Sequence, residues 1–204
     1  SLVNAAGPWV GDVIGDCQAE RGKQSIRMVK GSHIVVPKLF DHDKAYILQN
    51  PDKRIVFAIP YQRDFTLIGT TDEEFIGDPA DVCASEAEIG YLCDIANRYF
   101  RRKTKPSDVV WQYAGIRPLF DDGALQAQNA TRDYVLTLAD KNGAAPVLNV
   151  FGGKITTYRK LAEAALEKLR PYFPRMTDGW TDRAFLPGGD KISGLADEIN
   201  LKFP

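Results

Sequence analysis

The stretch Asn149–Pro171 reads NVFGGKITTYRKLAEAALEKLRP. An apolar strand runs into Gly152-Gly153, then a lysine and two threonines, then an amphipathic helix that Pro171 stops. Its apolar stripe of Tyr158, Leu161, Ala162, Ala165 and Leu169 predicts a buried face. Strand, glycine turn and helix start together form an α/β unit, not a hairpin. Glycines at 152 and 153 let a ligand approach the backbone and tolerate φ > 0. Helix N–H groups from about Thr156 lack intrahelical acceptors and carry partial positive charge, which suits an anionic or electron-rich group. Thr156 or Thr157 can also simply cap the helix. Lys154, at the mouth of the strand, is either a ligand contact or a solvated cation.

Outward from this unit, the chain reads differently. From Ser32 to Thr71 it offers successive strands, SHIVVP, AYILQ, KRIVFAIPY and FTLIGTT. Turns at Asn50-Pro51-Asp52 and Gln62-Arg63-Asp64 join the last three, and such short links predict an antiparallel meander. Pro37 and Pro60 are expected at strand ends or edges. Ser85 and Glu88 form a capping box for a helix whose apolar face is Ile89, Leu92, Cys93, Ala96, Tyr99 and Phe100. The run Arg101-Arg102-Lys103 suits that helix's C-terminal dipole; without interleaved aromatics it is a weak nucleic-acid patch. DVVWQYAGIRPLF is then a strand reaching an Asp121-Asp122-Gly123 turn. TRDYVLTLA is an alternating strand, and Asn142-Gly143 lies in the loop before PVLNVF. The reading is α+β: a central antiparallel sheet with a helix on one face, and ends that look like pieces of an α/β domain.

Composition narrows the class. The 204 residues are 44% hydrophobic and 26% charged with a net charge of −1, ordinary for a globular protein, and give no bulk-charge reason to bind nucleic acid. No apolar run reaches membrane-spanning length. Cys17, Cys83 and Cys93 fit no zinc or redox spacing, which predicts reduced thiols in a cytoplasmic protein with Cys93 in the core. The acids of IGTTDEEF lack metal-site spacing, so no metal is expected. The opening SLVNAAGPWVGDV starts inside what reads as a buried strand, turns at once at Ala5-Ala6-Gly7-Pro8 and has no initiator methionine; ADEINLKFP reads as cut. Both predict an excised piece, with more protein before Ser1.

Four further residues carry candidate chemistry. Arg117, between Ile116 and Pro118 at a strand end, is either a paired structural ion or a contact to carboxylate or phosphate. Arg132 sits beside Asp133, so a local salt bridge competes with a ligand role. His33 opens a strand and is either a hydrogen-bonded edge residue or a proton acceptor. Thr71 stands with Thr70 and three acids in IGTTDEEF, whose hydroxyls either cap a turn or contact a substrate or cofactor. Two arginines and a lysine, each at a strand end, would together suit a phosphate dianion.

The motifs NAAGPWVGDV, KGSHIVVPKLF, IGTTDEEF, GIRPLFDDG, TRDYVL and NVFGGKITTYRKLAEAALEKL, in this order from Asn4 to about Gly189, closely resemble the FAD-dependent glycerol-3-phosphate dehydrogenase family. The resemblance implies a flavoprotein related in fold to glucose oxidase and D-amino-acid oxidase. An FAD-binding α/β domain, incomplete here, would be paired with an antiparallel-sheet substrate domain. It implies residues 1–24 as an FAD-domain segment, 25–145 as the substrate domain, 146–170 as the return strand and helix, and 171–204 as a link into a truncated C-terminal domain. The activity implied is oxidation of sn-glycerol 3-phosphate to dihydroxyacetone phosphate by hydride transfer to FAD, with electrons passing to quinone. The enzyme would be peripheral to the inner face of the cell membrane, with a homodimer among the assemblies open to it.

By the same resemblance, Arg117 lies at flavin and substrate, Arg132 and Lys154 grip the phosphate, and His33 and Thr71 line the pocket. His33, or a residue outside the chain, takes the proton. Gly152, Gly153, Ile155 and Thr156 approach the flavin, and Ala6 and Gly7 lie near the cofactor's phosphates. The dinucleotide fingerprint G-x-G-x-x-G does not occur in these residues. The chain alone is therefore expected to be colourless and inactive. The rival readings are a related FAD-dependent oxidase of an amino or hydroxy acid, a glycerophosphate oxidase using oxygen, and a non-catalytic scaffold.

Overall fold

The structure, a computed structural model, describes residues 1–17, 26–121, 131–140 and 145–189, with Gly194 and Lys202. The Asp122-Gly123 and Asn142-Gly143 turns and most of the tail lie outside the described residues. The chain divides into two compact units, Leu2–Gly153 and Lys154–Pro204, with Ser1 assigned to the second.

The larger unit is built on a six-stranded antiparallel sheet. Its strands are β2 (Ile26–Pro37), β3 (Tyr46–Gln49), β4 (Ile55–Tyr61), β5 (Phe65–Gly69), β6 (Glu73–Glu74) and β7 (Trp111–Phe120). The two short turns read from the sequence do join β3, β4 and β5 into a meander. The long β2 is the spine. β7 pairs along one edge from Ile26 to Val35, while β5 and β6 share the other, with a break between them opposite Gly31 and Ser32. Pro60 lies beyond the part of β4 that β3 covers, where its missing N–H costs no ladder bond.

Helix α2 (Glu86–Tyr99) covers one face of this sheet. Ile34, Val36, Leu48, Val56, Ala58 and Ile68 pack against Leu92, Cys93, Ile95, Ala96 and Phe100. Full burial of side chains such as Ile34 and Leu92 contributes on the order of 1.5–3 kcal/mol each. The capping box forms as expected, Ser85 and Glu88 bonding reciprocally. At the other end Lys103 Nζ donates to the carbonyls of Asn97 (2.6 Å) and Phe100 (3.1 Å), so the basic run caps the helix. Tyr99 departs from the expected stripe: it is half exposed, and its hydroxyl donates to the Gln49 carbonyl.

A second, three-stranded sheet has the order β1 (Leu2–Asn4), β9 (Val147–Phe151), β8 (Val135–Ala139). β1 and β9 run parallel, whereas β8 is antiparallel to β9. β8, which falls within the 25–145 span, therefore pairs here and not in the larger sheet. β1 is not the buried strand its apolar residues suggested. Leu2 and Val3 are 42% and 48% exposed, and the buried residue is Asn4. Its Nδ2 donates to Asn149 Oδ1 (2.9 Å) and the Val10 carbonyl (3.0 Å), tying β1 to β9 and to the start of helix α1 (Val10–Cys17). Val10 and Ile14 pack on Phe151, whose ring meets Phe120 of β7 edge-on at 5.5 Å.

In the smaller unit a 3-10 turn (Ile155–Thr157) precedes helix α3 (Tyr158–Leu169). Neither threonine caps α3 as anticipated: Thr157 makes no side-chain cap, and its hydroxyl donates to the Lys154 carbonyl (2.8 Å). Thr157 holds the N-cap position, but the preceding 3-10 turn engages its hydroxyl with Lys154 and not with the helix. Only part of the expected stripe is buried. Ala165 and Leu169 are covered, whereas Tyr158 and Ala162 are exposed. Glu163 gathers Arg159 (2.7 Å), Lys160 (3.1 Å) and the Thr181 hydroxyl (2.6 Å).

Candidate functional site

The face of the large sheet opposite α2 is where the candidate side chains meet. Because side chains alternate along a strand, β2 sends Lys30, Ser32 and Ile34 toward the helix, and Gly31 and His33 toward the open face. On β7, Tyr113 and Arg117 pair with His33 and Val29, and Gly115 pairs with Gly31. Arg117 thus starts on one edge of β2 and lies across Gly31. A Cβ on that glycine would stand 2.4 Å from Arg117 Nη2 and 2.7 Å from its Cζ. The glycine lets the guanidinium cross the spine and reach the break between β5 and β6. There Nη1 meets Asp72 Oδ1 at 2.7 Å and Nη2 donates to Thr70 Oγ1 at 2.9 Å.

Arg132 reaches the same carboxylate more loosely, with Nη2 3.4 Å from each Asp72 oxygen. Its ion pair thus spans to the sheet junction, beyond the neighbouring Asp133. Asp72 is nearly buried beneath the two arginines, and Arg132 is the more exposed of the pair. Among the described residues, two long contacts through a single nitrogen leave Arg132 with donors to spare for an anion. Burial lowers the Arg117 guanidinium from its ordinary value, Asp72 raises it and Arg132 lowers it again; it remains the site's cation.

His33 occupies a slot. Its ring stacks on Tyr113 at 4.8 Å with planes 4° apart, and on its other side lies Gly69, where a Cβ would stand 2.1 Å from Cδ2. Among the described residues Nδ1 is buried without a partner. Burial first, and then the Arg117 charge, push the imidazole below its usual value of 6.5, so it is neutral at pH 7. A neutral ring beside a fixed guanidinium can accept a proton.

Thr71 is not on this face. It is fully buried, its hydroxyl accepting from Ser32 N–H (2.9 Å) and donating to Glu88 Oε1 (2.6 Å) on the helix side. The hydroxyl beside Arg117 is Thr70's. Asp72, Thr70 and Tyr113 were not singled out by sequence, although the cluster TTDEE gave the right neighbourhood. For Glu88 the sequence pattern indicates only the capping role. Among the described residues no group of His, Cys, Asp and Glu could hold a metal ion.

A second feature lies at the carboxyl ends of the parallel pair β1 and β9. β1 leads into Ala6 and Gly7 (φ +59°), and β9 into Gly152 (φ +63°) and Gly153 (φ +95°). Two adjacent strand ends thus present small residues and bare backbone, a common place for a ligand in parallel sheets. Gly152 is also packed closely: a Cβ would be 3.3 Å from the Asp133 carbonyl and 3.5 Å from that of Pro118, next to Arg117. Lys154, Ile155 and Thr156 belong to the smaller unit, where all three are exposed.

Comparison with known proteins gives this arrangement a family. Residues 1–159 match the model of the family described as FAD dependent oxidoreductase. The chain is 53% identical over 197 residues to the aerobic glycerol-3-phosphate dehydrogenase of Escherichia coli, covering 97% of this chain and 39% of that protein. It is 51% identical over 195 residues to the glycerol-3-phosphate dehydrogenase of Pseudomonas aeruginosa, covering 96% of this chain and 38% of that protein. It is also 51% identical over 189 residues to the D-erythritol 1-phosphate dehydrogenase of Brucella abortus, covering 93% of this chain and 38% of that protein. Among solved structures, the glycerol-3-phosphate dehydrogenase of Bacillus halodurans complexed with FAD superposes with a TM-score of 0.79 at 27% identity, covering 98% of this chain and 38% of that one. The chain thus spans under two fifths of the length of these relatives. With the family model matched from its first strand into α3, the chain belongs to the FAD dependent oxidoreductase family.

Proposed function

We propose that the chain forms the substrate-facing part of a flavoenzyme that oxidises the secondary alcohol of sn-glycerol 3-phosphate to dihydroxyacetone phosphate and passes the electrons to quinone. The observation that carries this reading is the convergence of Arg117 and Arg132 on Asp72, over the glycine pair Gly31–Gly115 and near the neutral His33. A phosphorylated alcohol needs a cationic grip at one end and, at the other, a donor for the oxygen that becomes a carbonyl.

The turns after β1 and β9 suit FAD: Ala6, Gly7 and Gly153 carry no bulky side chain to obstruct a large flat cofactor, and Gly152 shapes the turn by letting the Asp133 carbonyl close in. Bound there, FAD supplies the hydride acceptor. In this reading Ile155 and Thr156 also approach the cofactor. Arg117 holds the C2 oxygen and stabilises the negative charge that grows on it as its proton leaves. His33, neutral at pH 7, accepts that proton. Arg132 and Lys154 bind the phosphate, whose binding energy orients C2 without touching it. Thr71 contributes from beneath, by fixing the turn that carries Thr70 and Asp72. Among the described residues no helix is long and apolar enough to cross a membrane. The proposed location is peripheral, at the inner face of the cell membrane.

The similarity to a D-erythritol 1-phosphate dehydrogenase favours a second substrate reading, a longer polyol monophosphate on the same grip. The test uses a protein of the relatives' full length that contains this chain, with flavin bleaching followed by stopped flow. Saturating sn-glycerol 3-phosphate should bleach the flavin at least ten times faster than D-erythritol 1-phosphate does. Arg117→Ala should cut the bleaching rate constant, and Lys154→Ala should mainly raise the substrate concentration needed. Unchanged bleaching in both variants would sink the assignment.

A further inference from the structure

We propose that Glu88, on the helix side of the sheet, is a positioning residue for Arg117 and acts through the hydroxyl of Thr71. This inference rests on the reading above that Arg117 touches the reacting oxygen. Glu88 is 1% exposed, and its two oxygens divide their partners. Oε2 takes the helix cap and the counter-ion: Ser85 N–H (2.9 Å), Ser85 Oγ (3.0 Å) and Lys30 Nζ (2.7 Å). Capping α2 requires nothing more. Oε1 turns instead to the sheet, accepting from Thr71 Oγ1 (2.6 Å) and Ser32 Oγ (2.8 Å).

What the second oxygen accomplishes follows from the pleat. Thr71 sits in the break between β5 and β6, where regular ladder pairing to β2 is interrupted. Its hydroxyl replaces part of the missing ladder by accepting Ser32 N–H while donating to Glu88. Held from below at Thr71, the chain presents Thr70 and Asp72 on the other face. These are the two groups that grip Arg117 over Gly31. An apolar side chain at 88 could fill the same volume, and a buried carboxylate is costly to keep charged. Only an acceptor at that point can fix the Thr71 hydroxyl. Glu88 has no direct contact with the open face, so its effect on chemistry must pass through the Thr70-Thr71-Asp72 turn.

The experiment measures the flavin-reduction rate constant and the KM for sn-glycerol 3-phosphate in the full-length holoenzyme. Thr71→Val removes both hydroxyl bonds while keeping the shape. It should lower the rate constant at least ~10-fold, in line with the sensitivity of catalysis to small misplacements, with flavin content unchanged and KM moved less than the rate constant, because Arg132 meets Asp72 only loosely, at 3.4 Å, where Arg117 meets it at 2.7 Å. Thr71→Ser should restore the rate to within about twofold. In an Arg117→Lys background the effect of Thr71→Val should shrink to less than about twofold, since the two changes act through one group. Glu88→Gln, which also keeps its shape, is the second variant and should follow the same pattern. A wild-type rate in both Thr71→Val and Glu88→Gln would overturn the proposal. So would a loss that persists undiminished in the Arg117→Lys background, since that marks general destabilisation. If Arg117→Ala is itself harmless, the reading of the site fails as well; if it is crippled while Thr71→Val is neutral, only this inference fails.

Discussion

Gly69→Ala tests the His33 slot directly. The added Cβ would stand 2.1 Å from His33 Cδ2, 2.5 Å from Cγ and 2.7 Å from Nε2, far inside any allowed contact. On the opposite side the ring is already stacked on Tyr113, so it cannot slide away within its own plane spacing. It must rotate out, losing a stack of about 0.5–1.5 kcal/mol, or the strands must part, at about 1–3 kcal/mol for overpacking. A loss near 2 kcal/mol corresponds to a fall in Tm of roughly 4–8 °C for a chain of this size. Displacement also brings water to the imidazole and removes it from Arg117. The two causes of its lowered pKa disappear together, and the His33 titration should move up toward 6.5. Thermal melting and an NMR pH titration of the histidine ring read the two effects. Gly115→Ala is the control: it lies on the same face with nothing within 4 Å of the new Cβ, and should melt within about 1 °C of the parent. If Gly69→Ala melts like Gly115→Ala and leaves the histidine titration unmoved, the slot is not a constraint.

Other perturbations should separate the remaining interactions. Burial by itself would raise the Glu88 carboxyl, but hydrogen bonds from Lys30, Ser85, Thr71 and Ser32 outweigh it and hold the group down to about 2, against 4.5 unperturbed. The stability it contributes is therefore complete above pH 4.5 and is lost as pH falls toward 2, a total of no more than about 3 kcal/mol; denaturant melts of Glu88→Gln should lack that acid slope. Glu88→Ala, which leaves Lys30 with the Glu73 carboxylate at 3.9 Å in place of a partner at 2.7 Å, should cost about 3 kcal/mol in the same melts. Gly152→Ala should lose about 1–2 kcal/mol in urea unfolding, because φ is +63° and the Cβ would press on the Asp133 carbonyl. Burial, then Asp94 and Asp108, push the Cys93 thiol up to about 11, while Cys17 and Cys83 are exposed. A thiol reagent at pH 8 should label two cysteines in the native chain and the third only after unfolding.

Much of the fold was legible because it is written in local chemistry. The turns at Asn50–Asp52 and Gln62–Asp64, the Ser85–Glu88 box and the Lys103 cap all act within a few residues of themselves. What was not legible depends on partners far away in sequence. β2 lies beside β5, not β3, because the long strand is shared by three others, and no local pattern states which edge each will take. β8 looks like any alternating strand, yet its place beside β9 is decided by pairing alone. In β1 the apolar Leu2 and Val3 misdirected the reading, because the bond that matters there is between two asparagines 145 positions apart.

The candidate site shows the same limit at the scale of one residue. Thr70, Thr71 and Asp72 are adjacent, and a sequence gives no reason to prefer one hydroxyl over its neighbour for a ligand role. The pleat decides: a one-residue step turns a side chain from one face of the sheet to the other. Thr71 therefore meets a buried carboxylate, while Thr70 and Asp72 meet an arginine. Arg117 was recognisable as an arginine out of place among apolar neighbours, but its reach depends on Gly31, far away in the chain, having no side chain to block it. Gly69 does the same for His33. These glycines are informative only once the strands are paired, since each clears the space over its own strand for a side chain that another strand supplies, or that its neighbour across the ladder holds. The candidate site is thus built from large side chains that lie over missing ones on a neighbouring strand, a pattern invisible in the chain and plain in the sheet.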